Sequence, residues 1–277
     1  MSDKVKETVA EDYQRIKALS RDAARSGAYL YPIKGIAYFV AHRSLWKPLL
    51  SKLAPTVTLA VGVTTFMFVF AYVPQAAILS VVNGPFAIIS SILLTLSESS
   101  TLATVLSKSF LLEDALVDTF DGTLVTRNET GVVSEGRQIK SGTGDPIGKL
   151  GKLIKKPFER FTPKAIIRYF IYLPFNFIPV VGTVIFIILQ GRNTGPMAHA
   201  RYFQLKEWSN SQKKEWIHER KAAYTSFGIV AVLLELIPVA SIFFSFTNTV
   251  GAALWAADLE KGSTTSPNLK ETARNAQ

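Results

Sequence analysis

The chain has 277 residues, 48% of them apolar, with a net charge of +10, a mean hydropathy of +0.22 and no cysteine. The missing cysteine excludes disulfides, thiolate metal sites and a cysteine nucleophile. The apolar residues gather into long uncharged runs, which points to a polytopic membrane protein and away from one water-soluble core. Surplus positive charge suits nucleic acid or anionic lipid, and beside several membrane segments the expected partner is membrane lipid with anionic headgroups, not nucleic acid.

In chain order, residues 1–25 carry five acids and six bases with no continuous apolar core. They read as a cytosolic, soluble helix ending at Ser26-Gly27 and not as a cleavable signal peptide. The next stretch, Tyr29 to Pro48, mixes Tyr29, Tyr31, Tyr38 and Trp46 with cations and apolar residues. Such amphipathic rings favour the headgroup layer, so an interfacial helix is expected here. From Leu53 to Ser97 no acid or base occurs, a run of 45 residues. One helix of that length would reach about 68 Å, roughly twice a bilayer core, so the run must fold back. Pro74 and Asn83-Gly84-Pro85 mark the turn, giving a first helix near 55–81 and a second from about Pro85.

That second helix is expected to continue past Glu98 into water, since Leu102, Val105, Leu106, Phe110, Leu112, Leu116 and Phe120 keep apolar spacing. Asp114, Asp118 and Asp121 then fall on a helical pattern, which predicts a solvated face and no metal loop. Seven glycines between 121 and 151 predict a mobile loop over 121–148. Lys149 to Phe161 is basic and amphipathic, as for an anionic membrane surface.

The most distinctive stretch is Leu173-Pro-Phe-Asn-Phe-Ile-Pro-Val-Val-Gly-Thr-Val-Ile185, inside an uncharged run from Tyr169 to Gln190. Pro174 and Pro179 should break its helix. Part of it, Phe175-Asn-Phe-Ile-Pro-Val-Val-Gly182, is echoed by Leu234-Glu-Leu-Ile-Pro-Val-Ala-Ser241. Pro174, Pro179, Gly182 and Pro238 are therefore the expected helix-break positions of two re-entrant or kinked hairpins. Gly191 and Gly195-Pro196 predict a turn, followed by a helix with Tyr202 and Leu205 on one side and a charged helix over 211–221 with Trp216 as an anchor. The last apolar run, 222–257, contains one acid, Glu235, and exceeds one span. Pro238 and Asn248 are its expected breaks. A disordered tail is expected over 261–277.

All 31 Lys and Arg lie in the four segments 1–52, 98–168, 191–221 and the tail. The positive-inside rule puts such flanks on the cytosolic side. Each apolar run then enters and returns on one side, which the prolines permit. The fold class expected is all-α: a polytopic membrane protein with long helices and proline-broken hairpins, its membrane domain covering 28–260 after an N-terminal segment 1–27.

Tyr31-Pro-Ile-Lys-Gly35, Trp46-Lys-Pro-Leu49, Phe175-Asn-Phe-Ile-Pro-Val-Val-Gly182, Gly195-Pro-Met-Ala-His-Ala-Arg-Tyr202, Leu236-Ile-Pro-Val239 and Asn248-Thr-Val-Gly-Ala-Ala-Leu-Trp-Ala256 carry a likeness. With them the chain resembles the membrane superfamily of the bacterial sulfate permease CysZ and the etoposide-induced endoplasmic-reticulum protein. Within it the chain is most similar to fungal lipid-droplet, outer-spore-wall and UsgS-type membrane proteins. The resemblance implies an all-helical membrane domain with long helices and partly penetrating hairpins.

Two functions follow as expectations. One is a non-enzymatic protein of the endoplasmic reticulum and lipid droplet, with every polar segment cytosolic. The other, implied by the bacterial relatives, is an anion (sulfate) permease, for which Arg168, Arg192 and Arg201 are candidate anion contacts and Asn176 lines a path. Glu235 counts against it, and a salt bridge to Arg168 or Arg201, or a snorkelling position, is the expected state of that acid. An enzyme is not expected. His42, His199 and His218 are the only histidines, and none belongs to a His-Glu-x-x-His, Gly-x-Ser-x-Gly or His-x-x-x-x-Asp pattern. No catalytic residue, cofactor site or metal site is assigned, and the sequence leaves a homo-oligomer open.

Overall fold

The computed structural model describes residues 21–140, 145–154, 181–237 and 240–264. These residues are mostly helical, with two helices long and apolar enough to cross a membrane. After a short 3-10 turn, α1 (Tyr31–Ala41) starts with Pro32 in its first turn, where the missing N–H costs nothing. Next, α2 (Trp46–Phe70) and α3 (Tyr72–Asn83) form one long rod with a break at Ala71. Pro74 offers no N–H to the Phe70 carbonyl. The bonds from Ala71 N–H to Met67 O and from Gln75 N–H to Ala71 O, at 2.8 and 3.1 Å, carry the helix across the gap. Pro74 therefore interrupts the rod without turning it. The turn falls at Gly84, whose φ of +52° suits glycine. Then α4 (Ala87–Phe110) packs back along the rod.

The seam of this hairpin is a row of small residues four apart: Ala87, Ser91, Thr95, Ser99, Ala103 and Ser107, all buried. A four-residue repeat keeps one face towards the partner helix, and small side chains let two backbones come close. The Ser91 and Ser99 hydroxyls donate to the carbonyls of Ala87 and Thr95, both at 2.6 Å, so they bring no orphan donor into the seam. Gln75 joins the strands of the hairpin: its amide donates to Glu98, and its carbonyl accepts from the Thr95 hydroxyl at 2.9 Å. The outward faces are apolar and uncovered; Val81 is 87% exposed and Phe110 76%. Small polar groups inside and large apolar groups outside reverse the pattern of a water-soluble helix pair, as a lipid solvent demands.

The remaining elements make a packed unit at the base of the hairpin. They are α5 (Glu113–Thr126), α6 (Thr130–Ser134), β1 (Arg137–Ile139), β2 (Leu150–Leu153), α7 (Val181–Ala198), α8 (Ala200–Leu205), α9 (Asn210–Glu219), α10 (Lys221–Glu235) and α11 (Ser241–Thr264). At its centre lies α11, buried without interruption over 245–257, with α1, α5 and α10 packed on it. Close backbone approach fixes two helix pairs. A Cβ on Gly35 would lie 2.1 Å from the Thr247 carbonyl oxygen, which seats α1 on α11; one on Gly195 would lie 1.9 Å from the Tyr224 carbonyl oxygen, which seats α7 on α10.

Several expectations need correction. The first rod begins at Trp46 and not near 55, because Trp46 and Leu49 find apolar partners in the base. Asn248 does not break the last run: its amide donates to the Ala231 carbonyl and to Glu235, at 3.1 and 3.0 Å, so a continuous α11 holds it. The helix after Glu98 stops at Phe110, and a separate helix follows. Within the expected mobile loop over 121–148, α5 runs to Thr126, then come α6 and a two-stranded antiparallel sheet pairing Arg137 with Leu153 and Ile139 with Leu150, while residues 141–144 lie outside the described residues. Of the disordered tail expected over 261–277, the first residues are helical, since α11 extends to Thr264, and the rest lie outside the described residues. The run 222–257 does fold back, as α10 and α11. Pro174, Pro179 and Pro238 lie outside the described residues, and Gly182 sits in the first turn of α7.

Candidate functional site

The buried polar groups of the base form three clusters. The first centres on Asp121, fully buried on α5. Arg201 of α8 grips it with two parallel bonds, Nε to Oδ1 at 2.9 Å and Nη2 to Oδ2 at 2.7 Å. Arg137 of β1 adds Nη1 to Asp121 Oδ2 at 3.2 Å and Nη2 to Asp118 Oδ1 at 2.6 Å, and its Nε donates to the Gly151 carbonyl at 2.9 Å. Two carboxylates thus balance two guanidiniums. Burial pushes the Asp121 carboxyl above the ordinary range, while the Arg201 and Arg137 guanidiniums pull it down. A planar fork meeting a carboxylate bidentately is the geometry that best offsets desolvation. The aspartates read from sequence as a solvated face are therefore split. Asp121 holds together α5, α8 and the small sheet, and Asp118 stays half in water.

The second cluster surrounds His199, between α7 and α8 and fully buried. Its Nε2 lies 2.9 Å from the Ala252 carbonyl oxygen and its Nδ1 2.9 Å from the Tyr224 hydroxyl. A carbonyl only accepts, so Nε2 carries the proton and Nδ1 accepts from Tyr224. The Tyr224 oxygen accepts in turn from Trp216 Nε1 at 3.0 Å. This one-way chain fixes a neutral imidazole, and burial lowers the His199 pKa to about 4. The Trp255 ring packs beside it at a tilt of 42°, with centroids 4.5 Å apart.

The third cluster joins α4, α10 and α11. Lys108 Nζ donates to Glu235 Oε2 at 2.6 Å, and Asn248 Nδ2 to Glu235 Oε1 at 3.0 Å. A salt bridge to Arg168 or Arg201, or a snorkelling position, was the expected state of Glu235; among the described residues its cation is Lys108. Arg201 and Glu235 thus belong to separate clusters. Arg192 is exposed on α7, and Arg168 and Asn176 lie outside the described residues. Among the described residues no three His, Asp or Glu side chains converge as a metal site would require.

Both ends of the long hairpin return to this base, α2 and α4 each touching α5. The tip carries no charged residue between Ser80 and Phe86. Its one amide side chain, Asn83, donates inward to the Ser90 hydroxyl at 3.2 Å. Residues 31–245 of the chain match the model of the sulfate transporter CysZ/etoposide-induced protein 2.4 family. The chain belongs to that family. It is a membrane protein, by family and by its two long apolar helices. It is similar to outer spore wall protein LDS1 of Saccharomyces cerevisiae, with 22% identity over 86% of this chain and 72% of that one. It is also similar to outer spore wall protein RRT8 of the same yeast, with 26% identity over 89% and 76%. In this family member, Tyr31, Gly35, Gly195, His199, Arg201 and Asn248, which carried the likeness in the sequence, are packing and hydrogen-bonding residues. Arg137, Lys108 and Tyr224 went unassigned there, and Asp118 and Asp121 were read as a solvated face. No local motif marks them, because each finds its partner across the fold.

Proposed function

We propose that this chain is a non-enzymatic integral membrane protein of the endoplasmic reticulum and lipid droplet, held in lipid by hairpins whose polar segments all face the cytosol. The observation that carries the reading is the hairpin tip. A tip that emerges into water gains from charged or exposed polar side chains. This one ends in exposed Val81 and Phe86, with its amide turned inward. Such a tip can end in hydrocarbon without stranding a polar side chain. The uncharged rod from residue 53 to 83 is about 46 Å long, against a bilayer core near 30 Å. Oil beneath a phospholipid monolayer sets no such thickness. The outer face of α1 adds a surface contact: Leu30, Ile33 and Val40 are exposed beside Lys34, a stripe suited to anionic headgroups.

The anion permease reading has less support. Arg201 would have to leave a bidentate carboxylate to meet a sulfate, and Lys108 already neutralises Glu235. The test is localisation of a fluorescently tagged chain with a neutral-lipid stain. Rings around stained droplets are expected, and an exclusively plasma-membrane signal refutes the reading. A second measurement uses the natural sequon Asn128-Glu129-Thr130, exposed in the base. It should stay unglycosylated in cells, and a sugar at Asn128 would place the base in the lumen.

A further inference from the structure

We propose that the groove beside α9 binds a quaternary ammonium group, with choline-like cations as its ligand class. The inference is independent of the membrane reading, because it rests on a separate face of the base. The groove is lined by Trp208, Gln212, Glu215, Trp216 and Glu219 and has a volume of about 300 Å³. Residues 212, 215, 216 and 219 share one helical face, and Lys213 and Lys214 point away from it. The two indoles meet at a centroid distance of 4.8 Å and an angle of 57°, so they form a corner and not a flat stack.

The corner is built by its surroundings. Phe203 stacks on Trp208 with centroids 5.5 Å apart, and the Trp216 Nε1–H is tied to Tyr224. Glu207 takes a left-handed φ of +55° to swing Trp208 into place, and Ser209 and Gln212 form a reciprocal capping box at the start of α9. Indole faces attract cations, and they discriminate for weakly hydrated ones.

The site already attracts one cation of this kind. The Arg220 guanidinium lies 3.4 Å from the Trp216 ring centroid and pairs with Glu219 at 2.7 Å. Glu215, one turn earlier, is exposed and has no such partner among the described residues. Two indoles beside a carboxylate left unneutralised match a trimethylated ammonium, which is bulky, poorly hydrated and positive. An anion or a hydrated metal ion would gain little from the rings.

The test is tryptophan fluorescence of the full chain in a maltoside detergent, titrated with tetramethylammonium chloride against sodium chloride at equal ionic strength. Saturable quenching is expected, with half-saturation of order millimolar for one aromatic corner and one charge. Glu215→Gln and Trp208→Leu, both at exposed or half-exposed positions, should each weaken it at least about fivefold while leaving far-UV circular dichroism unchanged. Phosphocholine identifies the source: binding at least as tight as tetramethylammonium assigns the site to a lipid headgroup, and clearly weaker binding assigns it to a free organic cation. Quenching that only follows ionic strength, or that is the same in both variants, overturns the proposal.

Discussion

Neutralising Asp121 alone should strongly destabilise the base, and removing its partner as well should largely restore it. In Asp121→Asn the side chain keeps its shape, but one carboxylate oxygen becomes an NH2 donor, so the bonds that Arg201 makes at 2.9 and 2.7 Å and Arg137 makes at 3.2 Å cannot all survive and the negative charge is gone. The four-charge cluster goes from neutral to +1, with Arg201 almost wholly buried. Breaking a buried pair from one side costs about 3–5 kcal/mol, mainly because the surviving charge stays desolvated. Out of a total stability of about 5–15 kcal/mol this is a large fraction. The melting temperature should drop by roughly 10 °C. In Asp121→Leu/Arg201→Met both charges leave together, and Asp118 still answers Arg137. That double variant should recover most of the loss, since apolar replacements of buried pairs are often near neutral. Thermal unfolding of the detergent-purified chain, followed by size exclusion or circular dichroism, measures each variant. A single-variant shift under about 2 °C, or a double variant as poor as the single, refutes the account. The outcome also bears on transport, because an Arg201 awaiting an anion would be freed and not orphaned by Asp121→Asn.

Acid should destabilise the base through His199, whose folded pKa is about 4 against an ordinary 6.5. The unfolded chain takes up a proton as pH falls through 6.5 and the folded chain does not, so this stability is present above pH 6.5 and is lost between there and about 4. At pH 5 the loss is about 2 kcal/mol, and His199→Gln should flatten that part of the pH profile of the melting temperature; an unchanged profile refutes it. Gly195→Ala should be severely destabilising, since its Cβ would sit 1.9 Å from the Tyr224 carbonyl oxygen, whereas Gly131→Ala meets nothing within 4 Å and should change stability by less than about 0.5 kcal/mol. Equal melting temperatures for the two would show that α7 and α10 are not in backbone contact. Glu235→Leu should cost about 1–3 kcal/mol by leaving Lys108 and the Asn248 amide short of an acceptor, and Lys108→Leu in the same chain should recover part of it. No recovery in a double-mutant cycle would sink the pairing.

The long hairpin was legible in the sequence because its determinants are local. An uncharged run too long for one span must turn, and Asn83-Gly84-Pro85 marks where. The seam was legible only in part, since Ser91, Thr95 and Ser99 look like ordinary weakly polar residues until a partner helix buries them. Long-range polar pairing was hidden. Asp121 and Arg201 are 80 positions apart and Lys108 and Glu235 are 127 apart, and no spacing rule links such pairs. Charge pattern alone therefore put Asp121 on a solvated face and did not name Lys108 as a cation for Glu235. Glycine count misread the segment after Gly122 for a related reason. Gly122 and Gly151 allow side chains and strand backbone to pack closely, with Ile147 and the Gln138 carbonyl in the way of any Cβ, so here glycine marks tight packing.

Charging the hairpin tip separates the one-sided topology from an ordinary crossing. Val81 and Phe86 flank the turn, 87% and 71% exposed. Lysine at both positions leaves the seam untouched. If the tip of a crossing hairpin reaches water on the far side, Val81→Lys/Phe86→Lys places both ammonium groups there and costs little. If the tip ends in hydrocarbon, each lysine costs about 2.5–3.5 kcal/mol on insertion scales, or about 5–7 kcal/mol together. A bilayer offers an escape, because two long flexible stems can carry the charges to the far headgroups. An oil core offers none. The double variant should therefore stay in the endoplasmic reticulum and vanish from droplet rims, a partition change of at least about a thousandfold by the energies above. Floating the droplets and comparing variant with wild type in the buoyant and membrane fractions measures it. Equal droplet enrichment of the two would mean that the tip never enters the oil, and the monolayer geometry would have to be abandoned.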